Sequence, residues 1–196
     1  MRLFVLAIAC ASFACLPVAT PPARGEIGLA TQLGGEQHAR YAAGAHVASV
    51  VPDLDFPLDI GGGYVGTDPI SVKNRPMSHG IYAEGGPKIA GGRFWRAFAA
   101  GRAEYYFAPA GPDPAYAGLA RLGIELAAPV RFEPVSSTGS RGFYVGVALG
   151  TFAVGAYMEA GYQRLVSDAG MTTIGGGLTL RLPSTFGLLC CAWDVR

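Results

Sequence analysis

Residues 171–182 alternate with a period of two. Leu178, Leu180 and Leu182 fall on one row, and Thr179 and Arg181 on the other. Ile174 and Gly176 extend the apolar row upstream, and Gly175 and Gly177 extend the opposite one. Successive side chains of a strand point to opposite faces, so the segment reads as a strand with one apolar and one small or polar face. The same pattern recurs along most of the chain. In residues 26–34 it places Ile27, Leu29 and Leu33 together; in 58–66 it places Leu58, Ile60 and Tyr64 opposite Asp59, Gly61 and Gly63. In 117–130, Leu122, Ile124 and Leu126 alternate with Arg121, Gly123 and Glu125. Further strands are predicted over 41–50, 80–86, 94–107, 142–150 and 153–165. Between them lie Gly-, Pro- and Asp-bearing loops at 67–78, 108–114 and 133–141, a polar hairpin tip at 36–40, and a tight turn at Gly150-Thr151. No segment beyond the N-terminal leader carries a 3.6-residue period, which makes the chain all-β.

Nine segments qualify, and several approach the 9–11 residues that cross a bilayer at a tilt. The expected architecture is a closed antiparallel up-and-down β-barrel of eight strands, or ten if further strands are hidden. The first residues read differently. Arg2 precedes an apolar run over residues 3–16, the pattern of an export signal too short to remain as a spanning helix. Small residues suitable for cleavage stand at Ser12-Phe13-Ala14 before Cys15 and at Ala23-Arg24-Gly25 before Glu26. The first site resembles a lipoprotein box, but Phe13 is bulky and Ser12 stands where Leu is usual. The expected division is therefore a signal peptide at 1–25, a barrel at 26–183 and a tail at 184–196, with lipidation at Cys15 as the alternative. Cleavage after Gly25 leaves only Cys190 and Cys191, whose adjacency excludes a disulfide framework.

Composition decides which face is outside. Charged residues make up 15% of the 196, against about 25% in ordinary soluble domains, while Gly contributes 29 residues. The formal net charge of +1 gives no field that would recruit nucleic acid. The mixed rows hold Gly, Ala, Thr and isolated charges: Glu84, Arg102, Glu104, Arg121, Glu125, Glu159 and Arg181. A water-facing surface would carry many more Lys and Glu. A narrow interior needs small residues and a few opposite charges that pair, so these seven are expected to form an internal network. Tyr64, Tyr105, Tyr106, Phe107, Phe143 and Tyr162 lie near strand ends and suit an interfacial girdle.

The Gly-rich alternating strands, with GRAEYYF at 101–107, YMEAGYQR at 157–164 and GGGLTLRLP at 175–183, resemble those of small bacterial outer-membrane β-barrel proteins. Such barrels have an even number of strands, which favours eight. The resemblance implies an outer-membrane location, the lipid bilayer as principal partner, and the barrel-assembly machinery as partner during biogenesis. It also implies a structural or surface-interaction role. The chain departs from the pattern after Pro183, where such barrels usually end on an aromatic residue of the last strand. Here the sequence continues to Arg196, so either the usual end signal for the assembly machinery is missing or the tail folds back or forms a further strand. The alternative is a soluble, periplasmic or secreted lipocalin-like barrel binding an apolar ligand.

Other motifs carry less. Gly61-Gly62-Gly63-Tyr64-Val65-Gly66 fits G-x-G-x-x-G, but a turn (Thr67-Asp68-Pro69) follows instead of the helix that would hold a pyrophosphate. Residues 143–158 are free of charge and contain Gly146-x-x-x-Gly150, yet they are short for a membrane helix and alternate as a strand does. The three histidines are His38, His46 and His79. His46 and Ser49, and Ser78 and His79, are spaced so that each pair points to opposite faces. His79 and Glu84 remain as a candidate cross-strand pair for a lipid A-modifying enzyme. No nucleophile–base–orienter set and no metal-ligand spacing is visible, so no enzyme activity, cofactor or metal is expected.

Overall fold

The computed structural model describes residues 15–48, 58–70, 76–107, 114–131, 143–165 and 170–190. Ten strands are present: β1 (Cys15–Thr20), β2 (Ala23–Gln32), β3 (Gln37–Ala48), β4 (Leu58–Pro69), β5 (Ser78–Gly91), β6 (Trp95–Phe107), β7 (Ala115–Arg131), β8 (Phe143–Arg164), β9 (Met171–Leu182) and β10 (Ser184–Cys190). Strands β2 to β9 pair antiparallel, each with its neighbour in sequence. Pairing of β9 back onto β2 closes an eight-stranded up-and-down barrel. There is no helix among the described residues. Closure leaves the barrel proper without an open sheet edge.

Two predicted boundaries are corrected. Residues 142–150 and 153–165 are not a hairpin but belong to one 22-residue strand, β8, which runs unbroken through Gly150-Thr151. Its register against β7 is continuous from Gln163 to Leu149, which Gly and Thr in extended conformation allow. The merger turns nine segments into eight. The predicted tip at 36–40 is also displaced. The β2–β3 turn occupies residues 33–36, with Gly34 and Gly35 at φ 144° and 109°, a backbone region that favours glycine. Arg40 therefore lies within β3, two residues beyond His38 on the same face. Strand β2 begins at Ala23, and Ala23, Arg24 and Gly25 pair with Ala45, Gly44 and Ala43 of β3.

The chain after Pro183 forms β10, which pairs with the N-terminal part of β8 on one side and with β1 on the other. Against β8, three steps from Arg181 to Ser184 match four from Ala153 to Leu149, a one-residue slip at Pro183. Proline supplies no N–H to a ladder, which suits it to such an interruption. Opposite β9 and β10 the register does not slip. Ala23 faces Leu182 and Thr20 faces Thr185, so β1 prolongs β2 along the same seam.

Candidate functional site: the charged interior

Alternation sorts side chains between two environments. Outside stand the large apolar residues, Leu122 60% exposed and Met158 71%, with Ile27, Leu29, Ile81, Ile124, Ile174 and Leu178 around the circumference. Inside stand the charges, Arg121 at 1% and Glu125 at 0%. This inverts the usual soluble distribution.

All seven charged residues of the mixed rows, Glu84, Arg102, Glu104, Arg121, Glu125, Glu159 and Arg181, are buried in the interior. Five more join them: Asp59, already placed on a mixed row, and Arg24, Glu26, Arg40 and Arg96, which the alternation did not single out. The described interior therefore holds six arginines facing six carboxylates. At its middle, Arg24 Nη1 donates to Glu84 Oε1 at 2.7 Å and Arg102 Nη1 to Glu26 Oε2 at 2.6 Å. Arg121 bridges three acids: its Nη2 donates to Glu26 Oε2 at 3.0 Å, its Nη1 hydrogen-bonds Glu84, and its Nε lies 3.2 Å from Glu159 Oε2. Arg40 Nη1 continues the chain to Glu159 Oε1 at 2.7 Å, and its Nη2 pairs with Glu104. Towards the end where the chain enters β2, Arg96 Nε donates to Glu125 Oε2 at 2.6 Å, and Arg181 pairs with both Asp59 and Glu125. Burying an ion costs several kcal/mol unless it is paired, and each of these arginines has a carboxylate within ion-pair distance.

Aromatic rings fill the space between the ions. Arg102 lies 3.9 Å from the ring centre of Tyr82, Arg121 3.9 Å from Tyr157, and Arg24 5.0 Å from Phe98. Glycine makes room for them: a Cβ on Gly28 would meet the Tyr157 hydroxyl at 2.6 Å, and one on Gly44 would meet the Tyr82 hydroxyl at 2.6 Å. Tyr106 is corrected here, because it is not part of an outer girdle. It is an even-numbered residue of β6, like Arg102 and Glu104, and points inward with no exposed surface. Its hydroxyl donates to Glu104 Oε2 at 2.6 Å and lies 3.0 Å from Thr67 Oγ1. Tyr106→Phe is expected to cost about 2 kcal/mol, since a hydrogen bond to a buried charged group is lost. The check is a lower urea midpoint of the folded protein with unchanged slope. Tyr64, Tyr105, Phe107 and Tyr162 do face outward, joined by Tyr116; Phe143 is a residue whose side chain lies outside the description.

The histidines separate. His46 points inward, with Nε2 2.9 Å from the Tyr82 hydroxyl and Nδ1 3.5 Å from Asp59 Oδ1. This hydroxyl–imidazole–carboxylate line is buried, and Arg102 lies over the Tyr82 ring, so the line orients its members within the packing. Ser49 lies outside the described residues. His79 and Glu84 do not pair: both are on β5, five residues apart, with His79 outside against the Tyr64 hydroxyl and Glu84 inside. His38 is buried near the β2–β3 turn, 3.6 Å from Glu36. Gly61 to Gly66 lie within β4 and form no phosphate loop. Among the described residues, no group of three or more His, Cys, Asp or Glu could hold a metal ion.

No known protein-family model matches the chain, and no curated protein or solved structure matches it either.

Proposed function

We propose that this chain is an exported outer-membrane β-barrel whose interior is filled by side chains, with a structural or surface-interaction role and no enzymatic activity. The observation that carries the reading is the inversion of the fold, with large apolar residues outside and balanced, paired charges inside. Water gives no reason to expose so much apolar surface. A hydrocarbon solvent does, because only a closed barrel satisfies every backbone group of β-strands within it. Outward aromatics support the placement. Tyr105, Phe107, Tyr116 and Tyr162 stand near one rim, and Phe94, Trp95 and Phe152 near the other. From Trp95 to Tyr105, ten residues of β6 span about 33 Å at ~3.3 Å each. A tilt of about 40° reduces this to about 25 Å, the height of the apolar band of outer-membrane barrels.

The interior of an eight-stranded barrel is just wide enough for side chains to fill. Six arginines paired to six carboxylates among the described residues leave no net charge there to select an ion. Reconstituted into planar bilayers, the protein is expected to show no channel openings; regular conductance steps would contradict a filled interior. An apolar-ligand barrel would need an apolar hollow where this one holds its ion network. Cell fractionation separates the two: the protein should sediment with outer membranes, require detergent, and migrate differently before and after boiling. A freely soluble periplasmic product would instead favour the ligand-binding barrel.

A further inference from the structure

We infer that the export leader is cut upstream of Pro22, at the Ala14–Cys15 bond, and not after Gly25. The inference rests on the reading of the chain as exported. Two observations carry it. The first is Arg24, which a cut after Gly25 would discard. Its guanidinium is fully buried, 2.9 Å from Glu26 Oε1 and 2.7 Å from Glu84 Oε1, and lies over the Phe98 ring. Without it, six interior carboxylates would face five arginines. The same cut would remove Ala23, Arg24 and Gly25 from β2, and with them three register positions on each side, against β3 and against the closing strand β9. The Pro22 carbonyl, which accepts from the His46 N–H at 2.9 Å, would go too.

The second observation is the seam itself. The pairing of β2 with β9 continues into β1 with β10 with no change of register, from Gln32 opposite Thr173 to Cys15 opposite Cys190. Residues 15–20 therefore belong to the same ladder as the barrel strand they precede. Upstream of Pro22 small residues stand at the required spacing in Ala7-Ile8-Ala9, Ala9-Cys10-Ala11 and Ser12-Phe13-Ala14, and of these the last leaves the longest apolar run ahead of the cut, as an export leader needs. The step is hydrolysis by an export-linked endopeptidase: water adds across the Ala14–Cys15 amide, giving a carboxylate on Ala14 and a free amine on Cys15.

The test is the intact mass and N-terminal sequence of full-length protein expressed with its leader and purified from the membrane fraction. A chain beginning at Cys15 is the expected result. One beginning at Glu26, or one retaining Met1, overturns the inference. Two substitutions sharpen it, since cleavage requires a small residue immediately before the cut. Ala14→Leu should accumulate the uncut precursor. Gly25→Leu should be processed as the parent is, because Gly25 has open space beside its Cα. The reverse pattern overturns the inference. Recovery of all forms in the soluble fraction would instead overturn the outer-membrane reading, which the mass alone does not touch.

Discussion

Replacing Arg121 by Leu is expected to destabilise the folded barrel by about 3–5 kcal/mol, the range for removing one partner of a buried ion pair. Arg121 is the node of the interior: it touches Glu26, Glu84 and Glu159, contributed by three different strands, and stacks on Tyr157. Leucine supplies comparable volume but no donor, so three carboxylates lose a shared cation in a space with little water. The readout is the urea midpoint of the protein folded in detergent micelles or lipid bilayers. Arg141→Leu, in a predicted loop outside the described residues, should stay within about 0.5 kcal/mol, as surface substitutions usually do. Combining Arg121→Leu with Glu84→Gln should recover part of the loss, because the second change removes a charge left without its cation. Such non-additivity is the signature of direct coupling. Equal stability of the Arg121 and Arg141 variants would contradict the placement of Arg121 at the centre of the network.

The second large effect belongs to the opposite face. Leu122, adjacent in sequence to Arg121, points outward halfway along β7, opposite Met158 of β8. Leu122→Arg is expected to cost about 2–4 kcal/mol if the exterior faces the bilayer midplane, and to reduce the amount of assembled, heat-modifiable protein. Leu122→Phe should be tolerated. An exterior in water predicts the opposite order: arginine at a 60% exposed site would be harmless or would raise solubility. Two neighbouring residues thus have opposite requirements. In a membrane, Arg121→Leu is disfavoured by the charged interior and Leu122→Arg by the lipid-facing exterior.

Much of this was legible in the alternation. Where large apolar residues and charges or glycines strictly exchange, as in 121–126 and 178–182, parity alone assigns each side chain to its face. Legibility failed where parity was masked by a local signal of another kind. Arg24 sits in a stretch that reads as a cleavage site, and nothing local shows that Glu84, sixty residues away, receives its guanidinium. Arg40 stands beside a turn and passes for a hairpin tip, although it shares the parity of His38 and His46. Tyr106 lies between Tyr105 and Phe107, so an aromatic cluster hides its inward parity. In β8, the apolar row occupies odd positions over 143–149 and even positions over 152–162, which imitates a turn. The strand nevertheless continues unbroken, because β7 and β10 pair with it along its length. The role of residues 184–190 was open for the same reason: a strand that pairs only with distant segments has no local signature beyond its composition.

An outer-membrane barrel turns its apolar exterior to hydrocarbon. A nitroxide attached at Leu122→Cys, with the native cysteines changed to serine and the protein reconstituted in lipid vesicles, reports it directly. Molecular oxygen, which concentrates in the bilayer, should relax the label strongly, and a water-soluble nickel complex hardly at all. A label relaxed more strongly by the nickel complex than by oxygen would place Leu122 in water and contradict it.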